Sequence, residues 1–261
     1  MALSGKTAVI FGYNGEIAKS ICKRFSEEGC NIVVSDLKKE NVDLASSDLR
    51  NVTALVADVR SRRDVQRVVE TAIEKYKKID IVVNCSRIAI LKEVVDLSED
   101  EWDTIINFNT KSMYYIAKAV LKNMMENNSG KIIGVASKAA NSGPPNLSAY
   151  AASMNAMIGF LRSLSCEVRD NNIRVNAVCP GYVEHEELVL GAELTNNQPP
   201  EENVYIQFTP FLDATKEPTA IANLVAFLAK EDGDLINGQV YSSWDDEITY
   251  WRNLGVEAEF F

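Results

Sequence analysis

The sequence is poor in the residues that build metal centres and disulfide frameworks. It has one histidine, His185, and five cysteines, at positions 22, 30, 85, 166 and 179. No two of them form a CxxC pair, so neither a zinc site nor a stapled secreted scaffold is supported. Scattered thiols fit a reducing, cytoplasmic setting. No run of about 18 apolar residues occurs, which excludes a helix spanning a membrane. The opening MALSGKTAVIF lacks the long apolar core of a signal peptide. Positive charge is short as well: 27 Lys and Arg stand against 37 Asp and Glu, a net charge of −10. An acidic surface repels phosphate backbones, so nucleic acid is not an expected partner. No internal repeat or low-complexity stretch is visible.

What is present is an ordinary globular composition. Over 261 residues, 46% are hydrophobic and 25% charged, enough for one α/β domain with a full core. Short apolar runs alternate with amphipathic ones. The runs Thr7–Phe11, Asn31–Ser35, Val52–Ala57, Ile79–Asn84, Lys131–Ala136, Ile173–Val178 and Gln239–Ser242 read as strands. Between them, helices are expected at Glu16–Glu28, Ser61–Tyr76, Ser98 to Asn127, Ser148–Arg169 and Pro218–Ala229. Ser61 with Asp64, and Ser98 with Glu101, have the spacing of capping boxes. Strands too apolar to face water, alternating with helices, predict a doubly wound parallel sheet of Rossmann type with about seven strands. Two stretches do not fit the repeat, 182–216 and the aromatic tail 244–261.

The first strand runs into Gly12-Tyr13-Asn14-Gly15-Glu16-Ile17-Ala18. Glycines at 12 and 15 permit a tight turn, and the next helix offers free N–H groups and a positive dipole end to a pyrophosphate. The second strand ends at Asp36-Leu37, with Asp36 placed 21 residues beyond Gly15. A carboxylate there bonds ribose hydroxyls and repels a 2′-phosphate, favouring NAD(H) over NADP(H). Lys38 and Lys39 pull the other way, and the competing reading is that Asp36 merely caps a turn.

With these motifs in this order, the chain resembles the short-chain dehydrogenase/reductase family from Leu3 to Ser242. The resemblance implies adenine contacts at Asp58-Val59 and a cofactor contact at Asn84-Cys85. The family's Asn-Asn-Ala-Gly reads Asn84-Cys85-Ser86-Arg87 here, with arginine in the glycine's place. It implies further cofactor contacts at Pro180, Gly181 and Val183, with His185 where a carboxamide-binding residue usually stands. It also implies a catalytic set of Asn109, Ser137 and Tyr150. Tyr150 lies 13 residues after Ser137, but the residue four beyond it, usually lysine, is Met154.

Residues four apart share a helix face, so Tyr150 loses its expected cationic neighbour. Its phenol should then titrate near the ordinary value of about 10. It can still give a proton to a carbonyl, whereas alcohol oxidation, which needs the phenolate, suffers more. Lys138 and Arg87 are candidate substitutes, against the usual expectation that both lie at the surface. Residues 182–216 are expected to be a substrate lid, and their glutamates argue against a strongly anionic substrate.

Three functions compete: an NAD(H)-linked oxidoreductase for a carbonyl/alcohol pair, a non-redox isomerase, dehydratase or cyclase using Tyr150, and a catalytically silent subunit. A homotetramer or homodimer is expected. Met157, Ile158, Leu161 and Leu164 on the helix from Ser148 suggest excess apolar surface, and the tail is too aromatic to leave in water.

Overall fold

The computed structural model describes residues 2–181 and 218–242. Seven parallel strands form its sheet: β1 Thr7–Phe11, β2 Asn31–Asp36, β3 Val52–Val56, β4 Ile81–Asn84, β5 Gly130–Val135, β6 Ile173–Cys179 and β7 Val240–Ser242. Their order is β3-β2-β1-β4-β5-β6-β7. Eight α-helices connect the described strands: α1 Glu16–Glu27, α2 Lys39–Asp48, α3 Arg62–Tyr76, α4 Glu99–Ile106, α5 Ser112–Glu126, α6 Ala139–Ser142, α7 Ser148–Glu167 and α8 Pro218–Ala229.

The continuous apolar character of the strands follows from burial on both faces. Along β1, Val9 and Phe11 pack with α3, α5 and α7, while Ala8 and Ile10 pack with α1 and α8. Every residue of β1 is buried. Each large apolar side chain so placed contributes about 1.5–3 kcal/mol, and no polar alternation is left to read.

Caps set the helix starts. Ser98 and Glu101 form the complete reciprocal box expected of them. Ser61 makes half of its box: its hydroxyl accepts the Asp64 N–H, but the Asp64 carboxylate accepts from the Asp58 N–H instead. The expected long helix from Ser98 is interrupted by a π-helical turn at Asn107–Lys111, between α4 and α5. Helix α2 was not anticipated from sequence. Val42 and Ala45 are its buried residues, too few to write a helical stripe. The short α6 was not anticipated either; the remaining boundaries match expectation or differ from it by at most two residues, as fraying ends do.

The sheet's connectivity reverses at β1: β2 pairs with it on one edge and β4 on the other. In such sheets the crevice beyond the strand ends at this reversal is where ligands bind.

Candidate active site

The turns after β1 and β4 meet at that crevice. Gly12 has φ +89°, and a Cβ on it would lie 2.9 Å from both the backbone nitrogen and the hydroxyl of Ser86. Glycine is required there twice over, by conformation and by contact. The Gly12 N–H donates to the Ser35 carbonyl at 2.7 Å, and the Cys85 N–H donates to the Phe11 carbonyl at 2.8 Å. The buried Asn84 holds the second turn, its Oδ1 accepting the Ser86 N–H at 3.0 Å. Together the turns wall a groove lined by Gly12, Asn14, Leu37, Val59 and Cys85 among others.

Asp36 forms part of the wall and is 6% exposed. Its carboxylate accepts from the Tyr13 N–H at 2.7 Å, the Lys38 N–H at 3.0 Å and the Asn41 amide at 2.8 Å. A carboxylate has about four acceptor sites, so these three donors leave capacity for a ribose hydroxyl. Next to it, the Ser35 hydroxyl is buried without a hydrogen-bond partner and Ser35 lines the groove. Buried polar groups are ordinarily satisfied, so this hydroxyl suits a ligand. Gly15 opens α1 without a side-chain cap, and the positive end of the helix dipole there suits a phosphate. These residues fit an adenine dinucleotide.

Several residues expected at the cofactor site turn their side chains away from the groove. The Tyr13 ring is buried in the core, and burial, followed by Cys22, Asp48 and Glu16 nearby, pushes its phenol well above the ordinary range. Ile17 and Asn84 are buried, and neither they nor Gly15 and Glu16 line the groove. The exposed Glu16 pairs with Lys19 at 2.8 Å. The Asp58 carboxylate is engaged by Arg60 at 2.7 Å, while its neighbour Val59 faces the groove. In exchange, Ser35, Ala57, Ser86 and Phe108 line the groove without having been read from the sequence. Phe108 sits beneath the Arg60 guanidinium, which lies 5.9 Å from its ring centre.

The catalytic candidates gather around α7. Ser137 follows β5, is buried, and accepts the Ala139 N–H at 3.2 Å. The adjacent Lys138 N–H donates to the Pro180 carbonyl at 2.9 Å, tying this loop to the end of β6. Tyr150 is 1% exposed on α7. Asn109 lies in the π turn and is buried. It accepts the Ile88 N–H at 2.8 Å and donates to the Ile88 carbonyl and the Ser153 hydroxyl, both at 2.9 Å. Ser153 in turn donates to the Tyr150 carbonyl at 2.7 Å.

Met154 is 0% exposed and shares an apolar cluster with Tyr150, Phe108 and Leu147. The expectation that Arg87 lies at the surface is overturned: it is 6% exposed and lines the groove, held there by turns packed on both sides. Lys138 is half-buried. Val183 and His185 fall outside the described residues, as do the expected lid and tail. Burial raises the Cys22 thiol and pushes that of Cys30 up to about 12. Among the described residues no cluster of His, Cys, Asp or Glu fits a metal ion.

Comparison with known proteins agrees with this geometry. A family model described as short chain dehydrogenase matches residues 6–190. The 3-oxoacyl-[acyl-carrier-protein] reductase FabG of Thermotoga maritima is 30% identical over 244 residues, covering 92% of this chain and 96% of that protein. Oxidoreductase UcpA of Escherichia coli (strain K12) is 33% identical over 242 residues, covering 90% of this chain and 92% of the relative. The structure of NAD+-bound xylitol dehydrogenase superimposes with a TM-score of 0.82 at 25% identity, covering 93% of this chain and 99% of the other. The chain belongs to the short-chain dehydrogenase/reductase family and is an oxidoreductase of that family.

Proposed function

We propose that this oxidoreductase is NAD(H)-linked and interconverts the carbonyl and alcohol forms of a small molecule that is not strongly anionic. The observation that carries the reading is Asp36, a buried carboxylate on the groove wall with acceptor capacity to spare. A bound nicotinamide supplies or accepts hydride. Ser137 holds the substrate oxygen, and Tyr150 delivers a proton to it during reduction. Asn109 fixes the backbone of α7 beneath Tyr150. Residues 182–216 and 244–261 are proposed as a substrate lid and as a tail packing on a neighbouring copy, within one domain. The free cysteines support a cytoplasmic location, and no described helix is long and apolar enough to cross a membrane.

Titration with both cofactors tests the assignment. The protein should bind NADH more tightly than NADPH, because a 2′-phosphate would approach the Asp36 carboxylate. Asp36→Ala should narrow the gap by roughly tenfold, about 1.4 kcal/mol. Equal affinity of the unaltered protein for the two cofactors would remove the assignment.

Self-association is proposed through the outer faces of α5 and α7, on different residues from those expected. Met157, Ile158, Leu161 and Leu164 are all buried within the protomer's own core. The outward apolar groups include Tyr114, 42% exposed, and Met125 on α5, with the half-buried Phe160 of α7 meeting the Tyr114 ring edge-on at 6.5 Å. Sedimentation at micromolar concentration should show a dimer or tetramer. A single monomeric species would contradict the proposal.

A second reading has one specific observation in its favour. The place beside Tyr150 that the family fills with lysine is an apolar, fully buried Met154. That favours proton transfer without redox chemistry, or a silent subunit.

A further inference from the structure

The Asp36 carboxylate is clamped as well as buried. Its Oδ2 accepts the Tyr13 N–H at 2.7 Å. Its Oδ1 accepts two donors, the Lys38 N–H at 3.0 Å and the Asn41 side-chain amide at 2.8 Å. Each carboxylate oxygen has about two acceptor positions, so Oδ1 is filled and Oδ2 keeps one. The donors converge from separate places: the turn after β1, the residue before α2, and the first turn of α2. Only the Asn41 bond is made by a side chain, so a substitution can remove it and leave the backbone donors in place. Helix α2 packs on β2 and β3, with Val42, next to Asn41, and Ala45 buried. Asn41 is therefore presented to Asp36 from a docked helix. Of the two lysines that follow Asp36 in sequence, Lys39 is engaged by Asp43 one helical turn on, at 2.5 Å.

We propose that Asn41 is a positioning residue for cofactor selection: its amide locks the Asp36 carboxylate, with one acceptor site left for a ribose hydroxyl. The proposal rests on the NAD(H) reading above and deepens it. Rejecting a 2′-phosphate takes more than a carboxylate at the groove. A mobile carboxylate turns away from an incoming charge, and the repulsion fades as it moves. A clamped one must first break charge-assisted hydrogen bonds, which are the stronger kind. The phosphate then meets Asp36 where it stands, and selectivity comes from built-in repulsion as much as from attraction. The remaining site on Oδ2 rewards a free hydroxyl in the same place. The favoured ligand class is a dinucleotide whose adenosine ribose carries no phosphate, and the strength of that preference depends on α2 as well as on Asp36.

Fluorescence titration of NADH and NADPH tests this, on the unaltered protein, Asn41→Ala, Asn41→Gln, Asp36→Ala and the double variant Asp36→Ala with Asn41→Ala. The readout is the ratio of the two affinities, which is the same in whatever fraction of a variant is folded. Asn41→Ala should reduce the preference for NADH by about 3–10-fold, the worth of one ordinary hydrogen bond. Asn41→Gln keeps an amide donor one methylene further out and should recover part of the preference. In the Asp36→Ala background, Asn41→Ala should change the ratio no further, because residues that act through one another do not add. A preference for NADH left intact by Asn41→Ala would overturn the proposal and leave the NAD(H) reading standing. A fall of the same size in the Asp36→Ala background would overturn it too, by showing that Asn41 acts without Asp36. Equal affinity of the unaltered protein for both cofactors would sink the NAD(H) reading and this proposal with it.

Discussion

Tyr150→Phe is expected to lower turnover of a carbonyl substrate with NADH by about 10²–10⁴-fold, the usual worth of a positioned proton donor. The substitution removes one oxygen and keeps the ring. That ring is buried in the cluster with Met154 and Leu147, so packing survives. The backbone position survives as well, because Ser153 grips the Tyr150 carbonyl rather than its hydroxyl. A lost hydrogen bond of the phenol costs about 1 kcal/mol of stability, too little to unfold the domain. NADH affinity should stay as it was, since Asp36 and the Gly12 turn are untouched. Stopped-flow measurement of single-turnover NADH oxidation, beside equilibrium binding, separates the two effects. A rate that falls with affinity preserved identifies Tyr150 as the donor. A rate unaltered by the substitution would exclude it. The same variant discriminates the other readings: a proton-transfer enzyme loses its reaction, and a silent subunit loses nothing.

The sequence made the topology legible because parallel strands, buried on both faces, write unbroken apolar runs. β1 is the clearest case, buried at every position. The capping pair Ser98 and Glu101 fixed the start of α4 through local chemistry alone. Features that depend on distant contacts were not legible. The π turn at Asn107–Lys111 leaves no periodic mark, since Asn109 is anchored by Ile88 and Ser153, far away in sequence. In the site, chemistry-bearing residues were visible, but not the direction in which they point. Tyr13 and Asn84 turn inward, while their backbone and amide groups hold Asp36 and Ser86. Ser35 and Ala57 line the groove as small residues at strand ends, a position that carries no signal by itself. Arg87 ran against the strong tendency of arginine to lie at the surface, and only the packing of the two turns shows it buried.

Met154→Lys should cost stability before it adds function. The site is 0% exposed among apolar side chains, and an uncompensated buried charge costs about 3–5 kcal/mol. For a domain of this size each kcal/mol is worth roughly 2–4 °C in melting temperature. Burial lowers the pKa of the new ammonium below its unfolded value of about 10.4. The unfolded chain then binds more protons between those two values, so the loss is full below the folded pKa and shrinks as pH rises towards 10.4. NAD(H) should offset part of the loss, because its ribose hydroxyls offer acceptors, and cofactor affinity should tighten by about 10–100-fold. The ammonium, one helical turn from Tyr150, also favours the phenolate. Oxidation of an alcohol at neutral pH should therefore gain more than reduction of the matching ketone, since oxidation alone requires ionised Tyr150. Arg87 opposes these gains where its charge reaches the same space, and pairing Met154→Lys with Arg87→Gln relieves that repulsion. A Met154→Lys protein that melts normally, binds NAD(H) no better and turns over no carbonyl in a broad panel would sink the redox reading. The buried methionine would then mark a site for proton transfer alone, or for no chemistry.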